Sequence, residues 1–127
     1  ARFNGEITSA LLDGARKCLR EADAEWEEYS VPGAFELPLA AHKLADEFDA
    51  IIALGAIVRG DTPHFDYVAS ECARGLMDVA LESGTPVIFG VLTVDNMEQA
   101  RARCGGEHGN KGYDAAMTAL EMARFAA

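Results

Sequence analysis

Apolar residues recur along this chain at helical spacing in several stretches, and they fill two short runs almost without a break. Ile7, Leu11, Leu12, Ala15, Cys18 and Leu19 fall three or four residues apart, which predicts an amphipathic helix over residues 7–21. Leu37, Leu39, Ala40, Leu44 and Ala45 predict another over 36–48. Val68, Cys72, Leu76, Val79 and Ala80 predict a third over 65–83, stopped by Gly84-Thr85-Pro86. A short helix over 96–104 and a last one over 111–125, with Ala115, Ala119 and Met122 inward, complete the set. Between them, residues 49–57 and 87–92 are nearly all apolar, as strands buried on both faces are. Trp26 to Val31 is a shorter strand-like run ended by Pro32-Gly33.

Strands alternating with helices predict one α/β domain over residues 1–127, with a mostly parallel central sheet flanked by helices and right-handed crossovers. The chain opens on Ala1-Arg2-Phe3-Asn4, which reads as the end of a first strand and its exit loop. That strand is nearly absent, so the chain is expected to be truncated or its start to lie outside this sequence. Asn4 stands where it caps the following helix or faces a ligand.

Composition narrows the partners. The 127 residues suffice for one core. Their 21 acidic against 11 basic side chains, a net charge of −10, oppose a nucleic-acid or anionic-membrane surface. A small anion held in a local basic pocket stays open. Three cysteines, Cys18, Cys72 and Cys104, are odd in number and lack CxxC spacing, which reads as small apolar side chains in a reducing compartment. No apolar run approaches the ~20 residues of a membrane span, and no signal-peptide pattern is present. The expected location is cytoplasmic.

Four short segments fall at loops that strand–helix alternation assigns to one sheet edge: Arg2-Phe3-Asn4, Pro32 to Glu36, Gly60 to His64, and Leu92 to Asp95. In parallel α/β sheets the carboxyl ends of strands are where ligands bind. Gly60-Asp61-Thr62-Pro63-His64 carries the most chemistry. A glycine-opened turn before a helix exposes N–H groups, Thr62 adds a hydroxyl, and His64 brings a side-chain type suited to proton exchange. Read one way this is an anion site beside a proton carrier. Read the other way it is a Thr cap with Pro at the first helical position and a surface histidine. Pro32 to Glu36 is equally a simple turn or a pocket wall, with Phe35 as an apolar face and Glu36 as a hydrogen-bond acceptor. Arg101, Arg103, His108 and Lys111 form a basic cluster, with Arg103 and Lys111 flanking a glycine-rich loop; the alternative is a solvated helix end. No metal-ligand spacing, Walker loop, GxGxxG or nucleophile elbow occurs.

Together these segments resemble the lumazine synthase (6,7-dimethyl-8-ribityllumazine synthase) family. The resemblance rests on Arg2-Phe3-Asn4, Val31 to Pro38, Leu54 to Val68, Phe89 to Thr93 and Gly109-Asn110-Lys111-Gly112, which occur in the family's order over almost the whole chain. It implies a three-layer flavodoxin-like fold. It also implies a transferase of riboflavin biosynthesis that needs no metal or organic cofactor. That reaction condenses 5-amino-6-ribitylamino-uracil with 3,4-dihydroxy-2-butanone 4-phosphate and releases phosphate and water.

Carried over by motif, the resemblance puts Phe3 on the pyrimidine, with Asn4 lining the same pocket. Ala34, Phe35 and Glu36 border the ribityl chain, and Val58 meets the pyrimidine through its backbone. By the same resemblance His64 corresponds to the family's proton-transfer residue. Asp61 (through its N–H), Thr62 and Arg103 hold the phosphate, while Phe89 and Lys111 complete the pocket, Phe89 from a neighbouring subunit. The implied partners are these two small substrates and further copies of the chain, in a homo-oligomer built on pentamers with sites between subunits. Three departures stand out: Glu107 occupies a loop position where many members are basic, the complete first strand with which family chains generally begin is nearly absent here, and the connection before Trp26 is short. A non-catalytic flavin or lumazine carrier on this scaffold would need neither His64 nor Arg103. A structural shell subunit would need no intact site, and a flavodoxin-like FMN binder would need a hydroxyl-rich loop after its first strand, which Arg2-Phe3-Asn4-Gly5 does not supply.

Overall fold

Period-two alternation along two strands sorts the core into two faces of one sheet. The computed structural model describes residues 1–126. Strand β1 (Ile51–Val58) pairs in parallel with β2 (Val87–Val94), in a register that sets Ile51 opposite Val87 and Val58 opposite Val94. Ala53, Ile57 and Val91 turn toward helices α2 (Leu37–Leu44) and α3 (His64–Ser83), where they pack with Ala41, Cys72, Leu76 and Val79. Ala56, Leu92 and Val94 turn the other way. They meet Ile7 and Leu11 of α1 (Gly5–Glu21) and Ala100 of α4 (Met97–Ala102). Helix α5 (Lys111–Arg124) shares that second face, its Ala116 packing with Ala15, Cys18 and Leu19 of α1. The result is three layers, helices on both sides of a parallel sheet. Leu76, 1% exposed, lies at the centre of the first face; truncation to alanine there costs about 2–5 kcal/mol.

Most predicted elements form, with informative shifts. The helix expected over 36–48 is a short α2 between two 3₁₀ turns, Ala34–Glu36 and Ala45–Glu47. Leu39, expected inside, is 62% exposed, and Ala41 takes the inner position. Met122 of α5 is likewise exposed, and Ala116 packs in its place beside Ala115 and Ala119. The stretch read as a loop after α4 forms a small antiparallel hairpin, β3 (Cys104–Gly106) with β4 (Gly109–Asn110). Residues 87–94 are strand throughout, so Thr93 and Val94, expected in an exit loop, stay in the ladder.

Trp26 to Val31 forms no regular strand. The N–H groups of Arg2 and Phe3 donate to the carbonyls of Val31 and Pro32 at 2.8 and 3.0 Å, and the Ala1 nitrogen donates to the carbonyl of Leu54 at 2.7 Å. Residues 1–3 therefore lie between β1 and the 31–32 segment, where the remnant of a first strand was expected. The residues that precede the 31–32 segment are tied to α1: Arg16 pairs with both carboxylate oxygens of Glu28 at 2.6 and 2.8 Å, and Trp26 Nε1 donates to the same group.

Helices α1 and α5 cross closely because glycine stands at the contact. A side-chain carbon on Gly112 would overlap the backbone of Leu11, and one on Gly14 would overlap the Asn110 amide. Asn110 uses that room. Its Oδ1 accepts from the N–H groups of Gly112 and Tyr113, capping α5, while its Nδ2 donates to the carbonyl of Ala10 at 3.0 Å.

Candidate active site at the carboxyl end of strand β1

The chain leaves β1 at Val58, turns through Arg59 to Pro63, and enters α3 at His64. A cleft of about 170 Å³ opens here, lined by Phe3, Asn4, Ala34, Val58, Thr62 and His64, with Ala56, Ile57, Gly60, Phe65 and Val68 completing its walls. Three loops that are distant in sequence thus meet at one strand end, as the alternation of elements predicts.

Each polar group of the cleft has a structural reason for its place. Asn4 adopts a left-handed backbone conformation, φ 64° and ψ 52°, tolerated by a short polar side chain but costly for most residues. It does not cap α1 with its side chain. Its Nδ2 donates to the carbonyl of Ala56 at 3.0 Å, while its own carbonyl accepts from Ile7 and Thr8. Asn4 therefore ties the start of α1 to β1 and faces the cleft as well.

Thr62 Oγ1 accepts from the N–H of His64 at 3.4 Å. Thr62 thus serves the helix start, and among the described residues its hydroxyl proton has no acceptor. Pro63, not Thr62, occupies the N-cap position, and His64 is the first helical residue. Among the described residues nothing accepts from the N–H groups of Gly60, Asp61 and Thr62. Three free donors at the start of a twenty-residue helix favour an anion, through both hydrogen bonding and the helix dipole.

The remaining predicted residues lie outside this cleft. Phe35 and Glu36 are exposed in the 3₁₀ turn beside Ala34, and the Glu36 carboxylate folds back toward Gly33. Asp61 is exposed between the cleft-lining Gly60 and Thr62. Phe89 belongs to a second, shallower groove of about 370 Å³ between α3 and the outer edge of β2, lined also by Arg59, Phe65, Ala69, Thr93 and Asp95. Arg103 follows α4, where its Nη1 donates to the carbonyl of Gln99 at 3.0 Å. Lys111, exposed, opens α5, and its N–H donates to the carbonyl of Arg103, so the backbones of the two residues meet at the base of the hairpin. Arg101 leaves the expected basic cluster: it pairs with Glu6 at 3.2 Å.

Among the described residues no activated thiol competes for a catalytic role, since burial raises all three. Burial pushes the Cys72 thiol up to about 11, which keeps it protonated and unreactive.

One contact set escaped sequence reasoning. Arg59 pairs with Asp95 across 36 positions and stacks on Phe65. No periodicity joins these residues. The parallel register does, because it sets Val58 beside Val94 and so brings the residues after both strands together.

Similarity to known proteins agrees with this geometry. A family model described as 6,7-dimethyl-8-ribityllumazine synthase matches residues 1–127. A protein of that name from Syntrophus aciditrophicus (strain SB) is 54% identical over 127 residues, covering 96% of this chain and 82% of the relative. Another of that name, from Clostridium kluyveri, is 55% identical over 129 residues, covering 98% and 84%. The motifs read at the strand ends, the three-layer fold that gathers them and these whole-chain matches agree, and the chain belongs to the 6,7-dimethyl-8-ribityllumazine synthase family.

Proposed function

We infer that this chain carries out the reaction of its family. It condenses 5-amino-6-ribitylamino-uracil with 3,4-dihydroxy-2-butanone 4-phosphate to 6,7-dimethyl-8-ribityllumazine, a step of riboflavin biosynthesis that releases phosphate and water. Beyond the family relation, the observation that supports it is the cleft lined by Phe3, Asn4, Val58, Thr62 and His64, beside a turn whose Gly60, Asp61 and Thr62 N–H groups have no acceptor among the described residues.

The reaction joins an amine to a ketone with loss of water, expels phosphate, and closes a ring. Each step moves protons, and none requires a covalent bond to the protein. His64 takes and returns those protons, as a histidine does near neutral pH. The N–H of Asp61 and the Thr62 hydroxyl receive the phosphate, and the Arg103 guanidinium completes its cradle, pairing with two oxygens at once. Phe3 stacks on the pyrimidine with Asn4 beside it, and Val58 contacts the ring through its backbone. Ala34, Phe35 and Glu36 border the ribityl chain, and Lys111 lies near the heterocycle. Much of the acceleration comes from holding two substrates in register, a contribution of the order of 7–11 kcal/mol at best. His64 therefore raises the rate without being indispensable.

Phe89, Arg103 and Lys111 lie outside the cleft of their own chain, which favours a site completed by the next copy in a homo-oligomer built on pentamers. Three free cysteines are in keeping with a cytoplasmic location, and among the described residues no helix is long and apolar enough to cross a membrane. The deciding experiment mixes the purified, assembled protein with both substrates and follows lumazine absorbance. Product must form well above the uncatalysed background; a rate equal to background rejects the assignment.

A further inference from the structure

Arg59 is not among the residues lining the cleft, yet it touches both the end of β2 and the first turn of α3, where His64 stands. Its N–H donates to the carbonyl of Val94 at 2.8 Å, extending the β1–β2 ladder one residue past the strand. Its side chain then spans three groups. The guanidinium carbon sits 4.4 Å from the centre of the Phe65 ring, Nε donates to Asp95 Oδ1 at 3.0 Å, and Nη1 lies 3.6 Å from Asp66 Oδ1. Phe65 and Asp66 are the two residues after His64 in the first turn of α3. Asp95 follows β2 directly, and its own N–H is held by Gln99 Oε1 at 2.7 Å.

Phe65 is the wall between two spaces, lining both the cleft and the α3–β2 groove. Arg59 presses on its groove side. The turn that carries His64 has few ties of its own: a long bond from His64 N–H to Thr62, and one from Asp66 N–H to the carbonyl of Pro63. A planar cation can lie flat on a ring while its edges meet two carboxylates, which an ammonium cannot do.

We propose that Arg59 is a positioning residue that fixes His64 for proton transfer by clamping the first turn of α3 to the end of β2. The proposal rests on the catalytic role assigned to His64 above. Each contact is partly exposed and weak alone; the clamp acts through geometry, because a displacement near one ångström at a reacting group is enough to cost rate.

The test is a double-mutant cycle on the full-length assembled protein, with turnover measured on both substrates. Arg59→Gln should lower kcat on the order of tenfold to a hundredfold, with KM nearly unchanged. In a His64→Ala background the same substitution should change kcat by less than about twofold, because the group it positions is gone. Arg59→Lys should recover only part of the loss. An Arg59→Gln enzyme with full turnover overturns the proposal, and so does one whose loss is equally large without His64. A His64→Ala enzyme with undiminished turnover overturns the role of His64, and that of Arg59 with it, whereas a slow His64→Ala beside a fast Arg59→Gln overturns Arg59 alone. Should Arg59→Gln fail to fold, Asp95→Asn releases one end of the clamp and must show a smaller loss with the same dependence on His64.

Discussion

The two groups of predicted substrate contacts rest on different foundations. Phe3, Asn4, Val58, Thr62 and His64 stand where one strand ends, in a single cleft fed by loops from three parts of the chain. Arg103 and Lys111 stand on a short hairpin anchored by the α1–α5 crossing, and Phe89 faces a separate groove. The first group is assembled by the sheet of its own subunit. The second is displayed by it. The proposed head-to-tail assembly, in which each copy completes its neighbour's pocket, would account for this separation.

The sharpest attack on this contrast is aimed at the foundation of the displayed group. Gly112→Ala puts a carbon into the backbone of Leu11, and a clash with main chain, unlike one with a side chain, has no cheap relaxation. We expect a loss of about 3 kcal/mol or more, read by chemical denaturation. A variant as stable as the parent would mean that the α1–α5 crossing is looser than described.

Mixing separates the two groups directly. His64→Ala and Arg103→Ala should each lower turnover by about tenfold or more when assayed alone. Dissociated and reassembled together in equal amounts, they should regain activity, with about a quarter of the sites intact if each is shared between adjacent copies. Recovery no greater than the average of the two parents would place both groups in one subunit's site.

A smaller effect is expected inside the cleft. Asn4→Ala loses the bond to the Ala56 carbonyl and forces alanine into the left-handed region, at a cost of about 1–2 kcal/mol. Asn4→Gly loses the bond alone and should cost less. Equal losses would remove backbone strain from the account.

The smallest concerns the segment beside residues 1–3. The Arg16 guanidinium, helped by Trp26, holds Glu28 at about 2, against an ordinary 4.5. A depressed carboxylate stabilises the fold above its unfolded value and loses that contribution as it protonates. The stability difference between the parent and Glu28→Gln should therefore be present near neutrality and vanish as pH falls from about 4.5 toward 2. Both partners are largely solvated, so high salt should shrink it. A difference that persists at the acid end would assign Glu28 a role beyond its charge.

Much of this was legible in the order of residues. Helical spacing in α1 and α3 and the near-unbroken apolar runs of β1 and β2 are strong local signals, because burial on one stripe or on both faces imposes those periods. Misplacements fell where local pattern is weak. Leu39 and Met122 match an apolar stripe by spacing yet face outward, since smaller alanines sit where helices approach closely. The β3–β4 hairpin was hidden by its glycines, which carry no alternation. At the site, the turn residues Gly60 to His64 announced themselves by type, whereas Arg59 and Asp95 did not, because their meeting depends on register.

The sequence by itself therefore determined the elements and their alternation, and it named the groups proposed to bind an anion and move a proton, since each follows from side-chain chemistry within a few residues. The family relation followed from the same motifs taken together. Only the tertiary structure decided that Thr62 serves both the helix start and the cleft, that Asn4 ties α1 to β1, and that Arg59 clamps Phe65 and Asp66 to Asp95. It also separated Phe89, Arg103 and Lys111 from the cleft. Those outcomes depend on the parallel register of two strands and the close crossing of two helices. Such relations arise from packing across long sequence separations, and local pattern does not encode them.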